Sequence, residues 1–78
     1  MKFEPSTTQL LFKIRLLSNK TLLEYSTILN MSIFEYLSYE NGNKELNKTT
    51  LNYICDKLQK EFYENSEIKQ LISILKKR

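Results

Sequence analysis

The residues from Thr21 to Gly42, TLLEYSTILNMSIFEYLSYENG, constrain the fold more than any other part of this chain. Thr21 has the chemistry of an N-cap, and Glu24 three residues on completes a capping box for a helix over 22–29. Asn30 can adopt the left-handed conformation that ends a helix. Ser32 then opens a second helix over 33–39, again with an acid, Glu35, three residues later. Gly42, the only glycine, stands where a helix terminus calls for positive φ. Two brief capped helices around a tight turn make a helix-turn-helix unit. Asn41-Gly42 is also a β-hairpin signal. The second arm of such a hairpin, NKELNK, carries only Leu46 as an apolar residue, so it has no face to bury.

The flanks read as helix too. Residues 1–5 form an arm, and Ser6 with Gln9 makes a capping box for a helix over 6–18. Leu10, Leu11, Ile14 and Leu17 fall on one face of it, which Phe12 and Leu16 are expected to widen. Asn47 caps a helix over 48–61 whose inner face is Leu51, Ile54, Cys55 and Leu58, followed by Phe62, with Tyr53 near the edge. Asn65 or Ser66 caps a last helix over 66–77, where Ile68, Leu71, Ile72 and Leu75 recur at helical spacing. That stripe either closes the core or forms an isologous seam in a homodimer. The expected fold class is all-α: one compact five-helix domain spanning 1–78.

Size and inventory narrow the function. A 78-residue chain is one small domain, whose core rarely supplies more than about 3–5 kcal/mol. The chain has one cysteine, Cys55, and no histidine, so neither an internal disulfide nor a Cys/His metal cluster can form. No nucleophile has a base partner and no glycine loop could cradle phosphate, which argues against an enzyme and against any cofactor. Cys55 reads as a small buried hydrophobe. No apolar run could span a bilayer, MKFEPSTT does not read as a signal peptide, and a lone cysteine fits a reducing compartment. A cytoplasmic protein without a membrane partner is the expectation.

The formal charge is +3 and the pI about 9.0, which hints at a polyanion partner. The excess is uneven. Residues 1–42 carry four basic residues against four acidic ones; residues 43–78 carry eight against five. Between Lys20 and Lys44 there is no basic residue at all.

The pattern resembles the Cro/phage-repressor family of helix-turn-helix domains. That family carries an Arg six residues before Ser/Thr, an L-A pair, a G-[V/T]-S turn, then I-x-x-[I/L]-E-x-G and a Leu nine residues on. Here the matching residues are Arg15, Thr21, Tyr25-Ser26, Asn30-Met31-Ser32, Tyr36, Tyr39-Glu40-Asn41-Gly42 and Leu51, without a gap. The match runs from about Leu11 to Leu58, with E-N-G and the Arg15 and Leu51 spacings as its most specific parts. Tyrosines 36 and 39 replace aliphatic residues, Asn30 replaces the turn glycine, and Leu22 stands where a phosphate-gripping Gln is common.

The resemblance implies a buried structural pair of Arg15 with Glu40, inward-facing Met31, Tyr36 and Tyr39, and a second helix-turn-helix helix that enters the major groove of double-stranded DNA. It puts Ile33, Phe34, Leu37 and Ser38 toward the bases. Only Ser38 among them hydrogen-bonds, while the apolar three could meet thymine methyl groups. Lys20, Asn43, Lys44 and Lys48 would contact phosphates, giving a salt slope of about −3 per protomer and about −6 for a dimer. The competing expectation is a protein-binding module. Leu22, Ile33, Phe34 and Leu37 would then form an apolar patch of a few hundred Å², roughly the size that marks an interaction site, gripping a repressor or polymerase subunit. A third possibility places these residues in the core, through a rotation of the helices.

Overall fold

The computed structural model describes residues 5–78, so four of the five residues of the expected arm lie outside the described residues. Five helices follow in order: α1 (Thr7–Ser18), α2 (Leu22–Ile28), α3 (Ile33–Glu40), α4 (Lys48–Glu61) and α5 (Ser66–Lys76). The described residues contain no strand. The 41–42 pair ends α3 and does not open a hairpin.

Each helix begins at a side-chain cap. Ser6 and Gln9 form a reciprocal capping box, as do Thr21 and Glu24. Ser32, Asn47 and Asn65 accept from the backbone N–H three residues on, leaving Ser66 as the first residue of α5. Glu35 does not reach back to complete a box at Ser32. Two helix ends and the α3–α4 connection use left-handed residues: Asn19 (φ 60°), Asn30 (φ 56°) and Gly42 (φ 78°). A Cβ at Gly42 would meet only Thr8 Cγ2, at 3.8 Å, so the requirement for glycine is one of backbone conformation and not of space.

α5 packs against α4 and closes over α1, which in turn packs on α3 and α2; α2 also packs on α3 and touches α4. The core draws on every helix: Leu10, Leu11 and Ile14; Tyr25; Tyr36 and Tyr39; Ile54, Cys55 and Leu58; Ile68, Ile72 and Leu75, with Leu29 and Leu51 beside them. Burial pushes the Cys55 thiol up from its ordinary pKa, which keeps it protonated and unreactive at neutral pH.

One expectation is corrected here, and one open alternative is decided. Phe12 and Leu16 do not widen the inner face of α1; they are 45% and 58% exposed. Their spacing of four puts them on one outward ridge, because α5, α3 and α2 already cover the face made by Leu10, Leu11 and Ile14. The α5 stripe is core and not a dimer seam. Ile68, Ile72 and Leu75 are at most 1% exposed within a single chain, closed over by α1 and α4, and Leu71 is half-buried against the same core.

At the centre, the rings of Tyr25 and Tyr36 meet edge to face with centroids 5.0 Å apart. The Tyr36 hydroxyl donates a long bond, 3.4 Å, to the Leu11 carbonyl. The Tyr25 hydroxyl has no hydrogen-bond partner although its ring is fully buried. An unpaired buried hydroxyl costs on the order of 1–3 kcal/mol. Tyr25→Phe should therefore leave the urea midpoint unchanged or raise it, whereas Tyr25→Ala should cost about 3–5 kcal/mol by emptying the centre. A drop of more than about 1 kcal/mol in Tyr25→Phe would show a partner for that hydroxyl.

Candidate functional site

The candidate surface is built on α3, and α3 is held from its C-terminal end. Glu40, its last residue, is pinned by Arg15 of α1 in a two-bond fork: Nε to Oε2 at 3.0 Å and Nη2 to Oε1 at 2.8 Å. The Glu40 side chain is 5% exposed and that of Arg15 21%. The hydrogen bond to Glu40 raises the Arg15 pKa against a smaller opposing effect of burial. Arg15 also lies over the Phe12 ring, 5.3 Å from its centroid. The connection Leu29–Ser32 fixes the other end: Met31 N–H donates to the Ser26 carbonyl, and Tyr53 hydroxyl donates to the Leu29 carbonyl at 3.0 Å. Buried Ser26 donates in turn to the Leu22 carbonyl, so a serine fits where the helices meet without a stranded hydroxyl.

The four residues expected to face bases differ sharply in exposure. Phe34, second in α3, is 86% exposed. Ile33 and Leu37 are half-buried. Leu37 lines a shallow recess of about 400 Å³ with Phe12, Arg15 and Glu40, turned toward α1. Ser38 is half-buried and its hydroxyl donates to the Glu35 carbonyl at 2.6 Å, leaving only its acceptor capacity.

Of the residues expected to form an apolar patch, Leu22, Ile33 and Leu37 are half-buried and Phe34 is exposed. Leu22 packs against the core, and its neighbour Leu23, 63% exposed, faces solvent instead. On so short a helix one residue step of about 100° decides which of two adjacent leucines goes in, and Tyr25 and Ser26 set that rotation. Ile33 and Leu37 are partly covered, so Phe34 is the one freely presented member.

The candidate phosphate contacts Lys20, Asn43, Lys44 and Lys48 are all exposed. Lys20 follows α1 and precedes the Thr21 cap of α2; its charge and, more strongly, hydrogen bonds with Thr21 hold Glu24 below the usual carboxylate range. Lys44 is tied by its backbone N–H to the Ser38 carbonyl at 3.0 Å, folding the connection back on α3. Its ammonium lies 5.2 Å from the Tyr39 ring centroid. Asn43, Lys44 and Lys48 line one hollow of about 590 Å³, together with Thr7, Thr8, Tyr39 and Arg78. From sequence Arg78 reads only as a charge complementing the dipole at the end of α5, because nothing in helical periodicity links that end to the residues after α3.

No group of His, Cys, Asp and Glu able to hold a metal ion occurs among the described residues, and no described helix is long and apolar enough to cross a membrane. Comparison with protein-family models, with curated proteins and with solved structures finds no match to this chain.

The pinning of α3 is testable by a double-mutant cycle. Arg15→Met and Glu40→Gln should each cost about 2–3 kcal/mol in urea unfolding, less than the roughly 3–5 of a fully buried pair because Arg15 keeps part of its surface in water. The double variant should recover about 1–2 kcal/mol of the summed loss. Additive losses would show that the fork contributes no coupling.

Proposed function

We propose that this chain is a small DNA-binding transcriptional regulator of the Cro/phage-repressor type, with α2 and α3 as its helix-turn-helix. The observation that carries the reading is Phe34: a large aromatic side chain, 86% exposed, on the first turn of a helix whose far end is locked by an ion pair. Helices that read the major groove present their N-terminal residues to base edges. Phe34 there would contact thymine methyl groups, with Ile33 beside it, which points to A·T-rich operators. Lys20 before α2 and Asn43, Lys44 and Lys48 after α3 bracket the helix pair and would meet backbone phosphates on both sides of the groove. Ser38, with its hydroxyl proton engaged, would at most accept from a base. Affinity would come mainly from the flanking lysines and would fall steeply with salt.

A second reading rests on a separate observation. The α2–α3 segment carries Glu24, Glu35 and the Arg15-paired Glu40 and no lysine or arginine, while Leu23 and Phe34 stand exposed. A protein partner, such as a repressor or polymerase subunit, would tolerate those acids better than a phosphate backbone does.

Fluorescence polarisation against a random duplex pool at two salt concentrations separates the readings. For DNA, Lys44→Ala with Lys48→Ala should weaken binding and flatten the salt slope by about 1.8, while Phe34→Ala should shift the selected sequences with the slope unchanged. Failure of the native chain to hold any duplex near physiological ionic strength would overturn the DNA reading. Loss of a protein complex in Phe34→Glu would then support the second.

A further inference from the structure

The hollow of about 590 Å³ beside α3 gathers basic side chains from separate parts of the chain: Lys44 from the α3–α4 connection, Lys48 from the first residue of α4, and Arg78 from beyond α5. Glu45 is the one acid that lines it. None of these four side chains takes part in an ion pair among the described residues, where the pairs are Arg15–Glu40 and Lys76–Asp56. Two positive charges are thus left in excess at one concave site, in a chain whose total excess is three.

Arg78 is oriented rather than free. Its Nη2 donates to the Pro5 carbonyl at 2.6 Å and its Nη1 reaches Thr7 Oγ1 at 3.5 Å. Those contacts use two of five N–H donors and hold the guanidinium at the start of α1, above the hollow. The remaining donors keep the planar fork that suits phosphate oxygens. Lys44 is likewise steadied by the Tyr39 ring beneath it. An oriented guanidinium and a ring-steadied ammonium lining one hollow, with the Lys48 ammonium beside them, are a chemistry for an oxyanion with several oxygens.

We propose that this hollow seats a phosphodiester of the nucleic-acid backbone and that Arg78 is a phosphate-contacting residue, extending the track of Lys44 and Lys48 across the start of α1. The proposal rests on the DNA reading above and adds one charged contact to it. Arg78 therefore contributes to affinity without contributing to sequence preference.

The test uses the full chain and the random duplex pool, with polarisation measured over a series of salt concentrations. Arg78→Gln should reduce the magnitude of the salt slope by about 0.9, and Arg78→Lys should restore it. Lys60→Gln, which removes a charge from a different hollow lined by Asp56, Gln59 and Tyr63, should leave the slope as it is. Arg78 is exposed, so the variants should keep the thermal midpoint of the native chain, which circular dichroism checks. If Arg78→Gln binds duplex with the native slope, or if Arg78→Lys fails to recover it, Arg78 only ties Pro5 in place and the proposal is overturned while the DNA reading stands. If the native chain binds no duplex at any salt, both are overturned.

Discussion

The Arg15–Glu40 fork is the constraint on which the arrangement of the candidate surface depends. α3 is eight residues long and lies between two left-handed turns, so it has little helical stability of its own. Tyr36 and Tyr39 bury one side of it, and the fork fixes its last residue to α1. Tyr53 holds the Leu29 carbonyl at the end of α2, just before the turn into α3, and Phe34 projects from the first turn of α3. The fork uses charge where a chain of this size has little apolar surface to spare. Losing one partner would strand the other beside the tyrosines of the core.

Much of this fold was legible because caps and turns are local chemistry. Ser6, Thr21, Ser32, Asn47 and Asn65 announce helix starts through side-chain acceptors that need no knowledge of the rest of the chain. Asn30 and Gly42 announce positive φ for the same reason. Which side of each helix is buried is a different kind of information. On α1, Phe12 and Leu16 lie next to the inner stripe in sequence but stay about half exposed in space. On α2, seven residues long, Leu22 and Leu23 are equally good candidates until Tyr25 fills the centre and sets the rotation. Asn19 ends α1 in the left-handed region through the same asparagine chemistry as Asn30. The gathering of Arg78 with Lys44 and Lys48 needs the tertiary fold itself.

The electrostatics of the surface follow from this division. The helix pair in the middle of the chain carries acids at its N-terminal turns, where Glu24 and Glu35 complement the helix dipoles and stabilise short helices. Positive charge is displaced to the connections on either side. Under the proposed reading, attraction to DNA would come from these borders and selectivity from apolar contact at the centre. Such a division suits A·T-rich sequence, whose thymine methyls are the apolar features of the major groove.

The most direct test of that account is to map the contact surface residue by residue. Backbone amide shifts of the isotope-labelled chain, recorded during titration with an A·T-rich duplex, report where the nucleic acid lies. The account predicts perturbations concentrated at Lys20–Leu22, Ile33–Ser38 and Asn43–Lys48, with the α4–α5 hairpin undisturbed around Gln59–Tyr63. Perturbations confined to the lysines near the end of α5, with Ile33–Ser38 unmoved, would contradict it.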